Sequence, residues 1–127
     1  MRLVRILAIV FIAVVAVGSG LLLYLYSSGG QASTVTIRML QGSYQSLEVQ
    51  KQGYLPNPVV VVLGVNNTVT WINEDSAPHT AHSDIPGFDS RIVASGGSYT
   101  FTFTREGVWP YHCDLHPWRI SKIVVKG

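Results

Sequence analysis

Tyr99-Thr100-Phe101-Thr102-Phe103-Thr104 alternates an aromatic ring with a threonine three times in succession. Side chains of an extended chain point to opposite faces in turn, so the run predicts a strand with its rings toward a core and its hydroxyls toward water. Outward from it lie further short runs rich in β-branched and aromatic residues, at 35–40, 58–63, 68–73, 108–113 and 120–126. Turn formers separate them: Asn57, Gly64, Asn66-Asn67, Pro86-Gly87, Gly96-Gly97 and Glu106-Gly107. No stretch after residue 33 keeps a helical period for ten residues. Six to eight short strands in about 95 residues predict an all-β domain over residues 34–127, a two-sheet antiparallel sandwich with Greek-key connections.

Hydrophobic residues make up 47% of the 127 and charged residues 13%, more apolar than a wholly water-exposed domain requires. The surplus sits in residues 6–26, which carry no charge. As a helix rising about 1.5 Å per residue this run reaches roughly 30 Å, the thickness of one hydrocarbon core. Arg2 and Arg5 precede it, and basic residues stay on the cytoplasmic side. Residues 1–26 are therefore expected to form a single-pass transmembrane anchor in the cell membrane. Residues 27–33, rich in serine and glycine, read as a flexible linker, and the β domain belongs on the extracytoplasmic side. A cleaved secretory signal ending near Gly30-Gln31-Ala32 is the alternative, but such signals have apolar cores of only about 7 to 15 residues.

All seven acidic residues and seven of the nine basic ones lie beyond residue 33, so the exported part is neutral. It has no basic stripe, and no nucleic-acid partner is expected. A lone cysteine in an oxidising compartment is a liability, an intermolecular link or a ligand, so Cys113 demands a reason.

The four histidines and Cys113 fall in two short segments, Pro78-His79-Thr80-Ala81-His82 and Tyr111-His112-Cys113-Asp114-Leu115-His116. One thiolate with imidazoles suits copper or zinc and is unsuited to magnesium or calcium. His112 precedes Cys113 on an expected strand and faces the other side, so the two should not share a metal. His116, just past the strand end and followed by Pro117, can be turned back toward the sulfur. Of His79 and His82, three apart in an extended run, one should face inward, and spacing alone does not choose between them.

Residues 54–126 resemble the plastocyanin, amicyanin and pseudoazurin group of cupredoxins. The resemblance rests on Tyr54-Leu55-Pro56-Asn57-Pro58, Asn67-Thr68-Val69-Thr70-Trp71-Ile72-Asn73, Pro78-His79-Thr80, Phe88-Asp89-Ser90, Gly97-Ser98-Tyr99-Thr100-Phe101 and residues 111–118. It implies one copper ion, cycling between Cu(II) and Cu(I), on His79, Cys113 and His116, with His82 and His112 not coordinating. It departs from the family at the weak axial methionine, whose place three residues after His116 is held by Arg119; the plastocyanin-like spacing leads to Ser121. Met1 and Met39, the two methionines, lie far from that loop in sequence. A guanidinium offers no acceptor and is not a ligand, so Arg119 either tunes the copper by its charge or pairs with Asp114 or Asp84 at the rim. The expected function is single-electron transfer, not enzymatic catalysis. The expected partner is another redox protein, such as a membrane respiratory complex, and the domain should be a monomer. A copper-handling chaperone or storage module, or a nitrosocyanin-like site with an open coordination position, is the rival. Zinc also fits a Cys-His-His set.

Overall fold

The computed structural model describes residues 32–42 and 53–127. The expected membrane span at 6–26 and residues 27–31 of the linker lie outside these. Among the described residues there is no helix, and hence none long and apolar enough to cross a membrane.

Among the described residues eight strands build two four-stranded sheets: β1 (Thr34–Met39), β2 (Tyr54–Leu55), β3 (Val59–Val62), β4 (Thr68–Asn73), β5 (His82–Ser83), β6 (Ser98–Thr102), β7 (Gly107–His112) and β8 (Ile120–Lys126). The first sheet has the order β2-β1-β4-β6 and the second β3-β8-β7-β5. The all-β sandwich is as expected, but an antiparallel one is not what forms. β1 runs parallel to β4 from Thr34↔Thr68 to Met39↔Asn73, and β3 runs parallel to β8. Both sheets are therefore mixed. The cause is connectivity: the chain leaves β1, adds β3 to the other sheet and returns as β4, and a parallel pair needs just such a long crossover. Nothing in the local alternation of a strand reports the direction of its neighbour.

The alternation itself sets the layers. β4 buries Val69, Trp71 and Asn73 and leaves Thr68, Thr70 and Ile72 half-buried on the other face. In β6 the rings of Tyr99 and Phe101 turn to the core side while Thr100 and Thr102 are exposed. Those threonines meet Thr70 and Thr68 across the strands at 2.7 and 2.9 Å, a ladder of hydroxyls on the outer surface. Between the sheets, Trp71 stacks 4.9 Å from Phe88 and edge-on to Tyr111 at 5.7 Å, and Phe88 meets Phe103 at 5.7 Å. This aromatic core stiffens the end of the sandwich from which the two histidine-bearing segments emerge.

Candidate metal centre

Two loops deliver the clustered residues. β7 ends at His112, and the chain turns back to β8 within residues 113–119. Cys113 N–H donates to the Arg119 carbonyl (3.1 Å), His116 N–H to the Cys113 carbonyl (3.1 Å) and Arg119 N–H to the His116 carbonyl (2.8 Å). These bonds curl the loop so that Cys113 and His116 face one point. On the other side, buried Asn73 at the end of β4 donates to the carbonyls of Ala77 (2.8 Å) and Val93 (3.0 Å), tying the turn that leads to His79. A two-way backbone exchange between His79 and Val93 then fixes the histidine.

His79, Cys113 and His116 come together as expected: one ligand atom of each lies within 4.8 Å of the others. Nδ1 of His79 is 3.8 Å and Nδ1 of His116 is 3.6 Å from Cys113 Sγ. The sulfur is buried, and Thr80 N–H donates to it at 3.3 Å. His116 is half-buried, with the exposed ring of Trp118 edge-on to it at 5.6 Å.

Asp75 had no role in the sequence reading, yet its Oδ2 accepts a hydrogen bond from His79 Nε2 at 2.7 Å, both groups fully buried. With the proton on Nε2, the Nδ1 lone pair is left to face the sulfur. Burial pushes Asp75 upward, but the bond from His79 and those from the Gly42 and Ser76 N–H groups outweigh it and hold the carboxyl below its usual range. Burial likewise pulls His79 down to about 4, with the Arg119 charge acting in the same direction against Asp75. The ring is neutral, as a ligand must be.

Arg119 does not pair at the rim with Asp114 or Asp84. Its side chain is fully buried, with Nη1 2.6 Å from both ring nitrogens of His79 and its guanidinium 5.0 Å above the Tyr54 ring. Nη2 donates to the Gly53 carbonyl. Gly53 makes the room: a Cβ there would collide with Arg119 Nε. Among the described residues Nε itself has no hydrogen-bond partner. Burial lowers the pKa of the group, but a guanidinium remains a cation at neutral pH. The side of the centre where the family resemblance expects a methionine is thus filled by a positive charge.

His82 and His112 are turned to the outer surface, as strand alternation required of His112. His82 Nδ1 meets Asp114 Oδ1 at 3.0 Å, and His112 meets Asp84 and Asp114.

No family model matches the chain. Among curated proteins it is similar to amicyanin of Paracoccus denitrificans, 37% identical over 68 residues that span 49% of this chain and 51% of that protein. A chloroplastic plastocyanin of Tetradesmus obliquus is 28% identical over 82 residues, 54% of this chain and 57% of that one. The chain thus spans little more than half the length of these curated relatives. Among solved structures, a purple cupredoxin from Nitrosopumilus maritimus superposes with a TM-score of 0.64 and 33% identity, over 72% of this chain and 99% of that one. The chain belongs to the cupredoxins. An amicyanin variant solved with Cu(I) superposes on this cupredoxin with a TM-score of 0.59 and 25% identity, over 74% of this chain and 83% of the other.

The donors fit a metal. With zinc's bond lengths as a guide, about 2.3 Å to thiolate and about 2.0 Å to imidazole, angles between tetrahedral and trigonal separate sulfur from nitrogen by about 3.5 to 3.7 Å. The observed sulfur–nitrogen distances of 3.6 and 3.8 Å match this range. One thiolate and two imidazoles in this cupredoxin are the donor set of a mononuclear Cu(II)/Cu(I) centre.

Proposed function

We propose that this cupredoxin carries single electrons, with Nδ1 of His79, Sγ of Cys113 and Nδ1 of His116 holding one copper ion, and that it is not an enzyme. The observation that carries the proposal is the convergence of two imidazole nitrogens on a buried sulfur at 3.8 and 3.6 Å. Copper, when bound, supplies the one-electron couple Cu(II)/Cu(I).

The chain's own residues do the rest. Asp75 keeps the His79 proton on Nε2 and the ring in place. Thr80 N–H bonds to the sulfur, and Tyr54 Oη locks the Thr80 carbonyl at 2.6 Å. Held by two sheets, these groups move little when charge changes, which keeps reorganisation small. Arg119 fills the side through which water would otherwise enter, which weighs against a nitrosocyanin-like open site. Methionine-rich or additional cysteine ligands, which a copper-handling module would use, are not found in the sequence.

His116 is the outermost of the three, and exposed Leu115 and Trp118 flank it, an apolar rim that suits docking of a redox protein. The uncharged run at 6–26 behind Arg2 and Arg5 supports a tether to the cell membrane, with the domain on its outer side and a respiratory complex in the same membrane as partner.

The test is copper loading of the purified chain. One copper per chain with an intense visible thiolate band is expected, and Cys113→Ser should abolish the band. Uptake that is unaffected by that substitution would overturn the proposal.

A further inference from the structure

We propose that the outer face of β5 and β7 holds a second metal ion, a borderline divalent cation such as Zn²⁺, on His82, His112 and Asp114. His82 and His112 are direct partners across the two strands, with ring centroids 5.5 Å apart and planes at 33°. Asp114, one residue past Cys113, brings its carboxylate between them. Its Oδ1 lies 3.0 Å from His82 Nδ1 and 3.0 Å from His112 Nε2, and one ligand atom of each of the three lies within 4.8 Å of the others. Bonds of about 2.0 Å around a tetrahedral ion place its ligands roughly 3.3 Å apart, so each histidine needs to move only a few tenths of an ångström away from the carboxylate.

The partners of these groups are those a metal site requires. His112 Nδ1 meets Asp84 Oδ1 at 2.6 Å, an arrangement in which the carboxylate takes the Nδ1 proton's hydrogen bond and leaves the Nε2 lone pair free. That nitrogen faces the Asp114 carboxylate at 3.0 Å, a contact bridged either by a second ring proton or by a metal ion that takes the proton's place. The second oxygen of Asp114 accepts from Thr80 Oγ1 at 3.2 Å, and the Asp114 N–H donates to the same hydroxyl at 2.7 Å, so the carboxylate is oriented too. Two imidazoles and one carboxylate suit zinc-like ions and are poor for magnesium or calcium. The groove beside the cluster is lined by Thr80, Asp89, Arg91, Ile92 and Leu115. His82 and His112 are thereby given a role distinct from the thiolate centre, from which their strand faces exclude them.

The test adds Zn²⁺ to the full chain loaded with Cu(I), followed by ¹⁵N NMR of the histidine rings. Uptake of one Zn²⁺ beyond the copper is expected, with shifts at His82 and His112, no copper released, and the same uptake in Cys113→Ser, which lacks the first centre's sulfur. Asp84→Asn should weaken Zn²⁺ binding about tenfold or more while leaving the amide spectrum that of a folded domain. No ring shift up to millimolar Zn²⁺ would overturn the proposal. So would uptake undiminished in the double variant His82→Ala/Asp114→Asn, or zinc that enters only by displacing copper.

Discussion

Replacing Arg119 with leucine removes a buried positive charge beside the centre without supplying a new donor atom. The guanidinium nitrogen is 2.6 Å from His79 Nδ1, so an electron delivered to a metal held there changes the charge about 5 Å from the cation. At an effective dielectric constant of about 20, a unit charge at that separation is worth about 3 kcal/mol. Since one electron at 59 mV corresponds to 1.36 kcal/mol, the reduction potential of Arg119→Leu should fall by about 140 mV. The sign follows from charge alone: a nearby cation disfavours Cu(II) more than Cu(I), and its loss restores the oxidised form. Because Arg119 is fully buried, the shift should hardly depend on salt. Voltammetry of the copper-loaded variant is the assay, with Arg119→Lys as a charge-preserving control that should stay near the parent. A potential in the leucine variant that rises, or remains within about 30 mV of the parent, refutes the electrostatic role of Arg119.

Asp75→Ala removes the acceptor that orients His79 and should weaken copper binding about 10- to 100-fold, measured by competition with a chelator of known affinity. Trp71→Ala empties a fully buried aromatic position between the sheets and should cost about 3 to 5 kcal/mol in urea unfolding of the metal-free chain, with little change in the slope against denaturant. Acid should destabilise the metal-free chain: His79 falls from an ordinary 6.5 to about 4 on folding, so the unfolded chain binds the extra proton and stability rises with pH. This contribution, about 3 kcal/mol, is fully present above pH 6.5 and lost as pH falls toward 4, in the same direction as that of Asp75, whose folded value is also lowered. Chemical denaturation at pH 7 and pH 4.5 checks it, and His79→Gln should flatten the difference.

Much of this was legible in the residues. Six strands announced themselves because each is long enough to show a period; β2 and β5, two residues each, are too short to carry one. The parallel pairings were hidden because a strand's alternation is the same whichever way its neighbour runs. Cys113 and the histidines were conspicuous as a donor set confined to two segments, and alternation correctly separated His112 from the sulfur. Choosing His79 over His82 needed the family resemblance. Asp75 was invisible as a partner because it reaches His79 through a turn whose shape depends on Asn73 and Val93, residues that the fold brings together from a distance. The sequence left open whether Arg119 tunes the copper by its charge or pairs at the rim. Its inward course depends on the space that Gly53 leaves open, on a part of the chain far away in sequence.

X-ray absorption at the copper edge reports the atoms bound to the ion directly. A coordination sphere of one sulfur and two imidazole nitrogens, with the sulfur lost in Cys113→Ser, is the predicted result. Copper surrounded only by nitrogen and oxygen would contradict it and would place the ion elsewhere on the protein.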